Sequence, residues 1–162
     1  VRARILSWFA SPFLALLFRL FLGCLFFYAG FIKIADPPGF AHALYNYHIL
    51  PAWLINPAAI ILPWIEVLAG AGLVAGIMIQ GGALVVSGLL TVFAVVLGIS
   101  LIRGLDVACG CFSTASTAEP ITWLYLVRDL ALLAMGVHIL LFDRGYASLP
   151  RLIQTRLPKI SD

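Results

Sequence analysis

Four apolar runs, each long enough to cross a bilayer, take up most of a chain of only 162 residues. They cover about residues 12–34, 57–79, 83–102 and 121–142. A helical crossing takes about 20 residues. Inside lipid a helix satisfies its own backbone groups, which an open sheet does not. The runs therefore predict an all-α integral membrane four-helix bundle. Composition agrees: 63% of residues are hydrophobic and 10% charged, against about 25% charged in an ordinary soluble domain. So apolar a chain cannot cover itself with polar groups, and lipid must be its solvent.

The breaks between the runs set the organisation. Residues 1–11 form a basic lead with Arg2 and Arg4. A signal peptide is the rival reading of this start. The apolar run that follows is too long for one, and no clear small-x-small cleavage site follows it. Residues 35–56 form a connector, with Asp36-Pro37-Pro38-Gly39 as a turn and Phe40, Ala41, Leu44, Tyr45, Tyr47 and Trp53 after it. Paired prolines break a helix, and aromatic residues favour the membrane interface, so a short interfacial helix is expected here. Gln80-Gly81-Gly82 reads as the next turn, residues 103–120 as the second exterior loop, and 143–162 as a basic tail.

An even number of spans puts both termini on one side. That side carries six Lys and Arg residues, Arg2, Arg4, Arg144, Arg151, Arg156 and Lys159; the other carries Lys33 and Arg103. The positive-inside rule then places both ends in the cytoplasm. The 103–120 loop faces the exterior, the periplasm in a bacterium, where disulfides are permitted. The net charge of +3 thus speaks to orientation. No basic run with interleaved aromatics and no Gly-rich phosphate loop points to nucleic acid or nucleotide.

Two patterns suggest close helix packing. Gly72 and Gly76 form a small-xxx-small pair, which lets backbones approach in lipid. Arg19, Gly23, Phe26, Gly30 and Lys33 recur at steps of three and four and share one face of the first span, directed into the bundle.

The exterior loop contains Cys109-Gly110-Cys111, two of the three cysteines. Thiols this close form a disulfide or bind a soft metal. A ring so small departs from relaxed disulfide geometry, and strain makes the bond easier to reduce. Gly110 between them allows backbone angles that other residues resist. That suits a bond made and exchanged in thiol–disulfide chemistry; a reduced, inert pair in a turn is the plainer alternative. Zinc fits poorly, because a closed site wants about four ligands and only His42 and His48, in the other exterior connector, are on offer. No metal is expected.

Arg19, Glu66, Arg128 and Asp129 lie inside the apolar runs. Such groups face the bundle or a cavity and usually pair. Counted from Pro57 and Ile121 at about 1.5 Å per residue, Glu66 and Arg128 sit at similar depth, roughly 10–14 Å below the exterior face. They are predicted to pair or to share a polar pocket. Arg19 lies deeper and reaches that pocket only with its side chain extended. Asp129 follows Arg128 by about 100°, so both face inward only at a junction of three helices. A purely structural ion-pair cluster is an equal reading. Lys33 and Asp36 suggest a surface ion pair at the end of the first span, or a cation placed to lower a loop thiol's pKa. Cys24 reads as a small core residue and His138 as a packed one.

Several residues resemble the DoxX/MauE group of small four-helix membrane proteins, especially the methylamine-utilisation E type. They are Arg19, Gly23, Gly30-Phe31-Ile32-Lys33, Asp36-Pro37, Tyr47, Leu50-Pro51, Pro63, Glu66, Gly70, Gly76, Cys109-Gly110-Cys111-Phe112, Trp123 and Arg128-Asp129. The likeness spans about residues 12–142. Ser113 and Asp129 depart from it, standing where the family often has Gly and Asn.

The resemblance implies a redox-associated protein linked to disulfide formation or electron transfer in exported partners. Some relatives are thought to be subunits of thiosulfate:quinone oxidoreductases. Taken with the loop, it suggests a thiol–disulfide redox protein of the bacterial inner membrane. Cys109 and Cys111 would exchange electrons with an exported dithiol, and a membrane quinone near Arg19, Glu66, Arg128 and Asp129 would reoxidise them. The alternative is a non-catalytic subunit that assembles a larger membrane complex. Four short spans with no internal repeat argue against a transporter.

Overall fold

The structure is a computed structural model that describes residues 11–104 and 122–143. Cys109, Gly110 and Cys111 lie outside the described residues, as do most of the basic lead and tail. Five helices, and no strand, make up the described residues: α1 (Pro12–Ala35), α2 (Pro37–Asn46), α3 (Ala52–Ala75), α4 (Ile79–Ile102) and α5 (Trp123–Phe142). Four of them, α1, α3, α4 and α5, are long and apolar enough to span a membrane. The protein is a multi-pass membrane bundle, and α2 is the short connector helix expected between the first two spans.

Local chemistry sets the ends. The Leu14 amide donates to Ser11 Oγ at 3.3 Å, and Pro12 occupies the first turn of α1. Asp36 caps α2, accepting from the Gly39 amide at 3.0 Å. Asp36 therefore serves a helix start rather than the ion pair with Lys33 expected from the sequence.

Two boundaries differ from the sequence reading. The second span starts at Ala52, not at Pro57, which lies inside α3 with Pro63. Proline strains a helix by removing a donor and crowding the preceding turn, but in a bundle neighbouring groups re-satisfy the freed carbonyls. The α3–α4 turn falls at residues 76–78, and Gln80-Gly81-Gly82 belongs to α4. Gly76 sits at φ 70, and the Ile77 amide returns to the Gly72 carbonyl at 3.0 Å. This left-handed helix ending favours glycine.

The Gly72/Gly76 pair is thus a turn, not a helix–helix contact. Close approach happens between α1 and α3 instead. A Cβ on Gly70 would lie 2.6 Å from the Phe27 amide nitrogen and 2.7 Å from the Gly23 carbonyl oxygen. Gly30 meets the Pro63 carbonyl in the same way, at 2.7 Å. The expected inward face of α1 is borne out, with Arg19, Gly23, Phe26, Gly30 and Lys33 all buried. The core behind it joins Leu22, Leu73, Val86, Leu90, Leu132 and Ile139. The opposite faces are large exposed apolar side chains such as Phe31, Leu68, Val92 and Leu124, as a lipid-facing surface requires.

Cys24 is exposed, which corrects its reading as a core residue. It lies about 100° round the helix from the buried Gly23, on the face turned to lipid.

Candidate functional site

A cavity of about 470 Å³ lies at one end of the bundle, where α1 and α4 finish and α3 and α5 begin. The α2 connector covers it with Leu44, Tyr47 and Leu50. Its walls are apolar, from Phe26, Leu54, Leu62, Leu90, Phe93 and Leu132. Five residues supply its polar groups: Lys33, Tyr47, Glu66, Arg128 and Asp129. The 105–121 segment with Cys109 and Cys111 runs from the end of α4 to the start of α5, so both its attachments lie at this end of the bundle.

Lys33 and Glu66 form a buried ion pair within the cluster. Lys33 Nζ donates to both carboxylate oxygens of Glu66, at 2.6 and 2.8 Å. Each residue is only 6% exposed. Lys33 Nζ also stands 4.9 Å from the Phe40 ring centre, a cation–π contact. Lys33 is therefore neither a surface residue nor an unengaged cation reaching toward the loop thiols.

Glu66 and Arg128 share the cavity, as expected, but do not pair with each other. Glu66 lies about 21 Å along α3 from Ala52, whereas Arg128 lies about 8 Å along α5 from Trp123. The earlier start of α3 removes the equal depth that the sequence suggested. Arg128 turns instead to its neighbour, donating from Nη2 and Nε to Asp129 Oδ1 at 3.0 and 3.3 Å. Its guanidinium carbon stands 5.1 Å from the Tyr125 ring centre. The Asp129 side chain is 3% exposed, while that of Arg128 remains 33% exposed. The 100° step between them is thus met by a long side chain folding back, not by both facing inward.

Asp129 Oδ2 is buried and makes no hydrogen bond among the described residues. Buried acceptors are nearly always satisfied, so this oxygen is an acceptor in want of a donor. Tyr47, 4% exposed, completes the cluster and was missed as a site residue. Burial pushes its phenol above the ordinary range; nearby Asp129 adds to that and Arg128 opposes it. The hydroxyl stays a proton donor at neutral pH. Nothing in the sequence pattern separates this inward tyrosine from Tyr45, which is 57% exposed.

Arg19 does not reach the cavity. Its Nη1 meets Asp143 Oδ2 at 3.4 Å at the other end of the bundle, both side chains almost fully buried. Asp143, read from sequence as the first residue of the tail, is instead the partner that draws Arg19 away. His138 packs edge-on to Phe18 with ring centres 5.1 Å apart, and against Phe142 at 4.8 Å, so it is the packed histidine expected. His42 and His48 bond locally, to Asn46 and to the Tyr45 carbonyl. Among the described residues no three His, Cys, Asp or Glu side chains gather as metal ligands.

Fold and cavity together define a polytopic membrane bundle that encloses, at one end, an apolar chamber with an ionic floor. The chain belongs to the MauE family: residues 11–142 match the family described as methylamine utilisation protein MauE. The wider likeness to DoxX rests on the residues quoted from the sequence alone. Neither a curated protein nor a solved structure matches the chain.

Proposed function

We propose that this MauE-family protein is a thiol–disulfide redox protein of the bacterial inner membrane, with the Cys109/Cys111 loop on the periplasmic side. The observation that carries the reading is the chamber itself, with a buried, unmatched carboxylate oxygen, at the end of the bundle where the cysteine loop attaches. The loop disulfide would be attacked by a thiolate of an exported dithiol protein. A mixed disulfide forms, the partner's second thiol displaces it, and the partner leaves oxidised while Cys109 and Cys111 leave as thiols. Two electrons and two protons have then entered the loop.

A membrane quinone is the group that suits the chamber, since it accepts two electrons and two protons and restores the disulfide. The chamber fits one by its size, within the roughly 300–1,000 Å³ of small-molecule pockets, and by its apolar walls. Tyr47 and Arg128 supply donors for a carbonyl oxygen, and Asp129 supplies an acceptor for a hydroxyl. Lys33 and Glu66 hold each other and set the charge of the floor. Arg19, bound to Asp143, has no part in this.

The test is quinone reduction by a dithiol, followed on purified protein in nanodiscs. Replacing both cysteines with serine is expected to lower the rate to background; an unchanged rate refutes the mechanism. The buried Arg19–Asp143 and Lys33–Glu66 pairs also suit a rigid, non-catalytic subunit of a larger membrane complex. Loop thiols that hold one oxidation state at every redox poise, with fixed-ratio co-purification of other subunits, would favour that reading instead.

A further inference from the structure

The chamber has a side wall that faces lipid. Ile61 and Ile65 of α3 and Val92 of α4 line it, yet they are 56%, 38% and 63% exposed. Residues that line a cavity and are at the same time this exposed mark the rim of an opening. Counted along the helices, Ile61 lies about 13 Å from the start of α3 and Val92 about 15 Å from the end of α4. That depth is within the acyl chains, below the interfacial connector. The two helices pack closely near their turn, where a Cβ on Gly82 would lie 3.2 Å from the Leu73 side chain. Toward the other end the chamber occupies the space between them. A wholly apolar rim offers nothing to a water-borne solute and matches a hydrocarbon tail.

Inside, the acceptor on offer to a ligand is Asp129 Oδ2, buried and unmatched, with Oδ1 already held by Arg128. A carboxylate oxygen accepts and does not donate. It discriminates between two oxidation states of one ring: a hydroquinone hydroxyl donates to it, whereas a quinone carbonyl presents a second acceptor.

Resting on the quinone reading, we infer that the ligand enters sideways from the bilayer between α3 and α4, leaves its isoprenoid tail in the Ile61/Ile65/Val92 opening, and binds more tightly as the quinol, through Asp129. The preference has a direction. It favours the product of loop reoxidation and makes quinol release a step that Asp129 holds back.

Two measurements in nanodiscs test this. A ubiquinone analogue with a diazirine on its first isoprenoid unit is photolysed with wild-type protein, and the labelled residues are mapped by mass spectrometry. Label on Ile61, Ile65 or Val92 that excess ubiquinone-10 competes away supports the opening. Competable label on Leu44 or Leu50 instead overturns the sideways route and leaves the quinone reading standing. No competable label overturns both. Equilibrium retention of ubiquinol-10 and ubiquinone-10 is then compared in wild type and Asp129→Asn. A charge-assisted hydrogen bond carries roughly tenfold or more in affinity, so wild type is expected to retain quinol roughly tenfold better. The asparagine variant, whose amide donates, is expected to lose or reverse that preference. Equal retention of the two forms by wild type, or an unchanged ratio in a variant that still binds both, overturns the role of Asp129.

Discussion

Removing one member of the Lys33–Glu66 pair is the sharpest test of how dry the end of the bundle is. The two groups touch at 2.6 Å and are each 6% exposed. At an effective dielectric of about 20, unit charges at that separation attract by roughly 6 kcal/mol. Taking both ions out of water costs several kcal/mol each, so the pair as a whole stabilises the bundle little. Deleting one partner is another matter, because the remaining charge keeps its desolvation penalty and loses its attraction. Lys33→Met should therefore lower stability by about 3–5 kcal/mol. Glu66→Gln should cost less, since the amide oxygen still accepts from Lys33. Changing both, Lys33→Met with Glu66→Leu, should recover most of the loss and leave the protein within about 1 kcal/mol of wild type. Denaturant unfolding in mixed micelles, followed by tryptophan fluorescence, measures wild type and all three variants. Single variants within 1 kcal/mol of wild type, or a double variant no better than Lys33→Met alone, would mean that water reaches the pair and that the burial argument fails.

Gly70→Ala should destabilise by about 1–3 kcal/mol, because its Cβ would strike backbone atoms of Phe27 and Gly23. Gly88→Ala, which meets nothing within 4 Å, should be neutral or stabilising, and equal unfolding midpoints for the two would refute the close α1–α3 contact. Tyr47 makes the bundle alkali-sensitive. Its phenol is raised in the folded protein, while the unfolded phenol ionises near about 10. The resulting stability is complete below that pH and is lost as pH rises above it. Tyr47→Phe should flatten the alkaline limb of a stability–pH curve, and identical limbs would show that the ring is not buried as described.

The four spans were legible because lipid imposes a length and a composition that few other structures share. Their ends were less so. Gly72, Gly76, Gly81 and Gly82 offer several equivalent turns to a reader of the sequence. The choice falls on Gly76 because its left-handed conformation lets Ile77 close back on Gly72. The inward stripe of α1 was readable from helical period alone. The partners of that stripe were not. Lys33 stands two residues from the end of its helix and reads as a solvated terminus. Only the extension of α3 past the end of α1 buries it against Glu66. Asp143 fails in the same way, as a span's last polar residue that reads as tail. Depth counted along single helices assumes that they start level, and here they do not.

The unequal packing of the helices explains why the chamber lies where it does. Glycine-to-backbone contact pulls α3 hard against α1 along Gly23, Gly30 and Gly70. Drawn to that side, α3 leaves room on its α4 side wherever no small residue closes the gap. Gly82 closes it near the turn; at the opposite end the facing side chains are Leu89, Val92 and Phe93, too bulky for backbone approach and not arranged to fill the volume. Charges would be intolerable beside so apolar a space unless they were tied to one another. Lys33 is held by Glu66, and Arg128 by one oxygen of Asp129. The exception is the other oxygen of Asp129, the single acceptor in the cluster that the described protein groups leave unmatched. That unmatched oxygen, beside the opening inferred above, is what favours the proposed binding site over a purely structural lock.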